Sequence, residues 1–405
     1  MLPRLRRGPA GLLPLAAGCA LLAGLPPAAA RADAAPAARW PADLASIGGD
    51  DVNVRHDGRA LRLGSARTGP ASLRSAEGAG QLVLPPKDLT RPANRVRART
   101  RGGGATAVEA RAWTGAAWTE WYPAGEVLPA ASRRVQVRVV LTGGPGAAAP
   151  SVSALDLTAD RVRAPRATAA VAATYQVFAT REGLVGGTTA NGHVITARDH
   201  FVALPSRRGL SPKDSDDYSV RVCTTSGSLC EYAPVWDVGP WNTRDDYWNP
   251  PSTREMWPDL PQGRPEAQAA YQDGYNGGRD EFGRTVANPA GIDLADGTFW
   301  DGLKLTDNAW VNVTYLWTFN GARGTVRTAG APAPLRSSAR TSAEAKGLVA
   351  DRTAVVVECR VRGERVTGAR GTSDVWDRIG PGHYVPDAYV DAGPGGRAVP
   401  PCQPS

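Results

Sequence analysis

Lysine is scarce in this chain, and so are the sequence spacings that are typical of metal ligands. Only four of the 47 basic residues are lysines, and such a bias towards arginine is typical of a GC-rich genome rather than of one function. No C-x-x-C or H-x-x-x-H spacing accompanies His193, His200 or His383. Because a zinc site needs convergent ligands, the sequence predicts no metal and no cofactor.

Basic stretches interleaved with aromatic residues are also missing, which argues against nucleic acid as a partner. The formal net charge is +8, and this moderate excess suits both an anionic cell wall and simple solubility. At 405 residues, 42% of them hydrophobic, the chain is long enough for about two or three domains. Its 46 glycines and 34 prolines predict many turns and at least one linker.

A long apolar stretch occurs at the N-terminus. Three arginines precede an apolar run over residues 11–25, and small residues follow it. This order predicts a signal peptide over residues 1–33 and a secreted protein, extracellular or associated with the cell wall. The run is short for a membrane span and contains Pro14, so no span is expected after cleavage. Arg6-Arg7 leaves a twin-arginine export route open, and Cys19 leaves a lipoprotein site open.

The cysteines support export. Four remain once Cys19 leaves with the signal peptide, and four cysteines allow three pairings. Cys223 and Cys230 flank a hairpin-like turn, which can place them opposite each other on adjacent strands. Cys359 and Cys402 then close the C-terminal part of the chain. The sequence therefore predicts two disulfide bonds, Cys223–Cys230 and Cys359–Cys402, as in proteins of oxidising compartments.

Composition and periodicity divide the rest of the chain. Short alternating strands fill residues 38–160 and predict a β-sandwich domain. Arginine and alanine dominate residues 161–173, which are interpreted as a linker. Strands and loops fill residues 174–318, a second domain. Residues 319–347 are rich in Ala, Pro, Arg, Ser and Gly without periodicity and predict a flexible linker. Residues 348–405 form a small last module.

Two local features add detail. Trp113, Trp118, Trp121 and Tyr122 cluster in the first domain. Core packing is the favoured interpretation, and a sugar-stacking platform is the alternative, because the apolar face of a pyranose packs on an indole. In the second domain the segment from Pro265 to Tyr271 predicts a short helix, with proline in its first turn.

Four motifs inside residues 174–318 occur in a recognisable order. They are Thr189-Ala190-Asn191-Gly192, His200-Phe201-Val202-Ala203-Leu204-Pro205, Val235-Trp236-Asp237-Val238-Gly239-Pro240 and Gly291-Ile292-Asp293-Leu294. Together they resemble the double-psi β-barrels of the rare lipoprotein A (RlpA) and expansin type, which act on wall sugars. The resemblance covers about a third of the chain. It implies a barrel in which one histidine and one aspartate share a groove.

The last module resembles the small bacterial SH3-like barrels that accompany wall hydrolases. The resemblance rests on Trp376-Asp377 and on the Tyr-Val pairs at 384–385 and 389–390. The expected fold is therefore all-β, with an N-terminal β-sandwich, a central double-psi β-barrel and a C-terminal SH3-like barrel.

By the barrel resemblance Asp237 is the catalytic acid/base and His200 its polar partner, with Asp199 able to replace His200. One carboxyl can suffice for a lytic transglycosylase, because the sugar's own hydroxyl attacks instead of water. Structural roles are the alternative, since an aspartate before Gly-Pro often bonds backbone amides in a turn. Two departures are evident. Val238 replaces the arginine usual in rare lipoprotein A, and residues 241–289 form a long insertion.

Aromatic residues flanked by carboxylates near these motifs suit a glycan groove, because indoles stack on sugars. The predicted substrate-binding residues are Asn191, Trp236, Trp241, Asp245, Tyr247, Trp248 and Trp376. For the insertion, packing of the aromatic residues over a small barrel is the alternative. For Trp376 the alternative is a place in the core of its module.

The expected function is the binding or remodelling of peptidoglycan, or of another cell-wall polysaccharide, in the manner of an expansin. Val238 and the insertion favour this interpretation. The alternative is a lytic transglycosylase that cleaves glycan strands with Asp237, and a third is a secreted inhibitor or adhesin. The expected partner is the wall polysaccharide, and the sequence does not determine the oligomeric state.

Overall fold

Strands account for 47% of the chain and helices for 8%, which confirms the all-β expectation. The computed structural model describes residues 35–64, 78–144, 146–163, 173–319, 321–392 and 399–403. The predicted signal peptide lies outside the described residues. From Pro36 onwards the chain forms one unit. No helix in the described part of the chain is both long and apolar enough to cross a membrane.

The first region is one nine-stranded sheet. Its strands are β1 (Ala38–Pro41), β2 (Val54–His56), β3 (Leu61–Leu63), β4 (Ala79–Val83), β5 (Lys87–Gly103), β6 (Ala105–Ala112), β7 (Tyr122–Pro123), β8 (Val127–Thr142) and β9 (Ser151–Asp160). The order is β2-β3-β9-β5-β8-β6-β7, with β1 on β9 and β4 on β8. Val135, Val137 and Val139 of β8 belong to one core cluster, as expected when alternate residues of a strand share a face.

The second region contains a closed barrel of six strands. They are β10 (Thr174–Arg181), β11 (Val202–Leu204), β12 (Ser219–Thr224), β13 (Cys230–Val238), β14 (Ala290–Leu294) and β15 (Ala309–Tyr315). The order β11-β14-β10-β15-β12-β13 closes through the pairing of β11 with β13. The pairs β10–β14 and β11–β13 are parallel, and the other pairs are antiparallel.

The long insertion before β14 holds the helix expected from the sequence. Helix α1 spans Glu266–Asp273, directly after Pro265. It ends at Gly274, whose φ of 69° is left-handed, a conformation that glycine adopts without a steric cost. Ala267 and Ala270 pack against Val286, so the helix and the end of the insertion share a small core.

The last region adds eight strands. They are β16 (Ala322–Val326), β17 (Ala333–Arg336), β18 (Ala345–Val349), β19 (Ala354–Val357), β20 (Cys359–Gly368), β21 (Gly371–Gly380), β22 (His383–Pro386) and β23 (Val390–Asp391). Strand β18 pairs in parallel with β13 of the barrel. One sheet therefore continues from β13 through β18, β17, β22 and β21 to β20.

Residues 319–347 differ from the expected flexible linker, because they contain β16, β17 and most of β18. Val326 and Leu335 are fully buried in one cluster with Tyr232 of the barrel. The few apolar residues of this stretch carry no local periodicity. They become ordered because a tertiary partner buries them, which an isolated segment does not have.

Both predicted disulfide bonds are confirmed. Cys223 and Cys230 are directly opposite on β12 and β13, and their sulfur atoms are bonded. Cys359 at the start of β20 is bonded to Cys402, which is 43 residues further along. The second bond closes a much longer loop and therefore removes more entropy from the unfolded chain.

Side chains of the first sheet anchor it to the barrel region. Trp121 is completely buried in the cluster that fills the barrel, and the guanidinium carbons of Arg111 and Arg138 lie 4.2 and 4.5 Å from its ring centre. Arg111 also donates to Asp217 at 2.8 Å. This arrangement agrees with the core interpretation of Trp121.

Candidate functional site

The sequence motifs meet because of strand register. In the barrel Asp237 pairs with Ala203, and Ala203 pairs on its other side with Asp293. Asp293 in turn pairs with Thr180 on β10. Three motifs that are far apart in sequence thus form one row across adjacent strands. The small side chain of Ala203 leaves room for a carboxyl group on either side.

Asp237 is fully buried. Its Oδ1 accepts hydrogen bonds from the backbone N–H of Ala190 at 2.7 Å and of Val238 at 2.8 Å. The first bond brings the Thr189–Gly192 turn directly over the carboxyl group. Asp237 therefore has the amide-bonding role considered as the structural alternative, in addition to its place in the acidic row.

Glu182 is the acidic residue that the sequence reasoning missed. It is 8% exposed and lies beside Asp237. Burial raises the pKa of Glu182 well above its usual value, and the nearby Asp237 raises it further. Two such close carboxyl groups share a proton. The sequence signal for Glu182 was its position two residues after Thr180 in the same extended segment.

Two further carboxyl groups complete the cluster. Thr180 donates its hydroxyl to Asp293, and burial, with a contribution from Asp237, raises the pKa of Asp293 to about 7. Asp296 pairs with Arg181 at 2.8 Å and adds to the negative field at Glu182. The arrangement can store protons at neutral pH, which is the requirement for a general acid.

His200 forms its hydrogen bond with a different partner. Its Nδ1 lies 2.9 Å from Oε1 of the buried Glu231, which also accepts from the hydroxyl of Thr298 at 2.9 Å. Burial alone would lower the pKa of His200, but the hydrogen bond and charge of Glu231 outweigh it and raise the pKa. Glu231, on β13, thereby joins His200 to the helical turn at Thr298–Gly302.

We expect His200→Gln to lower the free energy of unfolding by roughly 3 kcal/mol at pH 5.5, because the buried Glu231 then loses its cationic partner. The folded state binds the His200 proton more tightly than the unfolded chain does. This stabilisation is therefore complete below about pH 6.5 and is lost as pH rises through the raised pKa. Urea unfolding at pH 5.5 and 8.5, with His56→Gln as control, measures the difference. A difference independent of pH would contradict the assignment.

Trp236 is the half-buried aromatic residue beside Asp237. Its ring stacks on Phe201 at 5.7 Å and lies 4.6 Å from the ring of His193. His193 Nε2 is 2.7 Å from Asp199, so Asp199 orients His193 and does not replace His200. Asn191 is 2% exposed, and its Oδ1 accepts from the backbone N–H of His193. It shapes the turn and offers almost no surface to a polymer.

The residues predicted in the insertion divide by burial. Trp241 is half-buried, and its indole N–H donates to Asn288 at 3.0 Å. Asp245 is enclosed and paired with Arg254. Tyr247 and Trp248 belong to the cluster that fills the barrel. Because Asp245, Tyr247 and Trp248 are buried, their side chains cannot contact a glycan. Packing over the barrel, the alternative considered for the insertion, therefore describes these three residues.

Trp376 also lies inside the protein. It is 1% exposed, and its indole N–H donates to the carbonyl of Glu364 at 2.9 Å. A stacking contact with a sugar ring is therefore excluded by burial, and the residue packs as core.

Trp300 was not predicted, yet 38% of it is exposed. Its neighbour Phe299 is anchored in the barrel core, which fixes the turn that presents the indole. The guanidinium carbons of Arg181 and Arg198 lie 4.6 and 4.9 Å from the ring centre. Through the Arg181–Asp296 pair this aromatic residue is linked to the acidic cluster. The adjacent aromatic residues, just after the Gly291–Leu294 motif, were the signal available in the sequence.

Among the described residues, no group of three or more His, Cys, Asp and Glu side chains is placed to hold a metal ion. In comparisons with known proteins, residues 173–314 match a family model described as a domain of unknown function (DUF8814). This match coincides with the barrel and its insertion. No curated protein matches the chain, and no solved structure matches it.

Proposed function

We propose that this protein is a secreted cell-wall protein whose central domain, a double-psi β-barrel, binds or remodels peptidoglycan or a related polysaccharide. The observation that carries the proposal is the convergence at Asp237. The Thr189–Gly192 turn donates to Asp237, and the register places Ala203 and Asp293 beside it. In the resembling wall-active barrels these same motifs line the polysaccharide groove.

Binding or loosening is placed ahead of cleavage because of the burial of Asp237. Its side chain is enclosed, and Oδ1 already accepts two backbone hydrogen bonds. A general acid must reach the leaving oxygen within hydrogen-bond distance, which an enclosed carboxyl does not do. Trp236 and Trp300 are accessible enough to meet a sugar, and stacking on an indole supports binding without bond cleavage.

Glycan cleavage by lytic transglycosylation is the second candidate, and the carboxyl pair favours it. Asp237 is the acid/base of this candidate, and burial and the charge of Asp237 raise the pKa of Glu182 beside it, so that the pair can hold a proton. In this mechanism the proton goes to the glycosidic oxygen as the C–O bond breaks. The sugar's 6-hydroxyl then attacks the anomeric carbon and returns a proton to the carboxylate. An opening of the turn above Asp237 would be required for a polymer to reach the pair.

The decisive experiment incubates the purified protein with insoluble wall sacculi. Pelleting measures binding, and mass spectrometry of the supernatant identifies released products. We expect the protein to sediment with the sacculi without releasing sugars. Anhydro-sugar ends would establish the lytic candidate, whereas neither sedimentation nor product would overturn both. Trp236→Ala should weaken sedimentation about tenfold if this ring is an anchor, with the exposed Tyr271→Ala as matched control.

A further inference from the structure

The outer face of the first sheet carries a regular row of arginines. Arg95, Arg97, Arg99 and Arg101 alternate along β5 with residues that face the core, such as Val96 and Ala98. At a strand rise of about 3.3 Å per residue, successive arginines stand roughly 6.6 Å apart. The row therefore extends over about 20 Å along β5.

Neighbouring strands widen this surface without neutralising it. Thr158 of β9 pairs with Arg97 on one side and with Arg39 of β1 on the other. Asp160 binds Arg95 and Arg97, and Asp156 stands opposite Arg99. The face thus holds five arginines against two aspartates. We call Arg39, Arg95, Arg97, Arg99 and Arg101 the arginine face.

The arginines at the C-terminal end of the row are the most exposed. Arg97, Arg99 and Arg101 are exposed. Within the described residues, Arg99 and Arg101 form no ion pair with a carboxylate. Arginines without an ion pair, evenly spaced along one strand, repel one another, so a bound polyanion would relieve that repulsion.

We propose that the arginine face binds a linear cell-wall polymer with phosphodiester groups in its backbone, such as poly(glycerol phosphate). The guanidinium fork matches phosphate oxygens bidentately, and the regular row suits a chain that carries one negative charge per repeat. The arginine face includes no aromatic side chain that could stack on a sugar ring, so its recognition of a polymer depends on charge, and each phosphate group offers a guanidinium two oxygens.

The test measures the affinity of the purified protein for poly(glycerol phosphate) at 50 and 200 mM salt. Combined Arg97→Gln, Arg99→Gln and Arg101→Gln should weaken binding at least tenfold at low salt. The slope of log affinity against log salt should fall by about two to three, because each phosphate contact that is lost reduces the number of counterions released on binding. Arg97→Lys, Arg99→Lys and Arg101→Lys should retain the slope. Dextran, a neutral polymer, should not bind to this face.

A matched control removes the same charge elsewhere. Arg340, Arg362 and Arg365 are exposed in the last region, where Arg362 pairs with Asp374. Their replacement by glutamine should change affinity less than twofold. Equal losses in both triple variants, or equally tight binding of polygalacturonate, would overturn the proposal. Sedimentation with sacculi stripped of phosphodiester polymers should be unaffected by the Arg97, Arg99 and Arg101 changes, so this result is separate from the function proposed for the barrel.

Discussion

Asp237→Asn is expected to leave the barrel folded and polysaccharide binding within about twofold, and to lower any glycan cleavage by about 10²–10⁴-fold, the usual contribution of general acid–base catalysis. Asparagine keeps Oδ1, which accepts both backbone hydrogen bonds of Asp237. The change therefore alters only the oxygen that can carry a proton. Sedimentation with sacculi and mass spectrometry of the products measure the two effects separately.

Asp237→Ala provides the structural control. It removes the acceptor of two enclosed amides, so we expect the free energy of unfolding to fall by roughly 2–4 kcal/mol. Binding that is lost in both variants would assign Asp237 to direct glycan contact. Cleavage that is unchanged in Asp237→Asn would remove this residue from the chemistry and leave Glu182 as the proton donor to test, by Glu182→Gln.

Asp293→Asn is expected to make the barrel less sensitive to rising pH. The buried Asp293 has a pKa of about 7, against about 3.9 in an unfolded chain. Its contribution to stability is therefore present below pH 3.9 and is lost as pH rises towards 7. The shift corresponds to on the order of 4 kcal/mol. Asparagine carries no charge and still accepts a hydrogen bond from Thr180.

Urea unfolding of both proteins at pH 4 and pH 8 measures this effect. On going from pH 4 to pH 8, the stability of Asp293→Asn should improve relative to the unaltered protein by about 3–4 kcal/mol. Asp307→Asn, at an exposed position, should show no such gain. Parallel pH profiles for Asp293→Asn and the unaltered protein would mean that Asp293 is already ionised at neutral pH.

A cluster that retains protons near neutrality is the common basis of these expectations. Glu182, Asp237 and Asp293 are buried together, and the charge of Asp237 disfavours ionisation of both Glu182 and Asp293. Such a group of acids costs stability as pH rises. The cluster lies under a backbone turn. Whether the polymer can reach these carboxyl groups therefore decides between binding and cleavage.

Sequence alone determined what depends on neighbouring residues. The all-β class, helix α1 and the Cys223–Cys230 bond follow from alternation, a proline at a helix start and a short hairpin turn, and all are confirmed. The four barrel motifs drew attention to Asp237 and Asp293 because both are part of short, recognisable segments. Each of these inferences uses contacts within a few residues of one another.

Tertiary structure decided which side chains are accessible and which carboxyls meet. Glu182 reaches the cluster through strand register, and His200 pairs with Glu231, 31 residues away. Tyr247, Trp248 and Trp376 have the composition of a sugar site, yet they are enclosed. Residues 319–347 become strands only because β13 supplies an edge and Tyr232 a core. Burial and charge coupling depend on distance in space, which local sequence patterns do not specify.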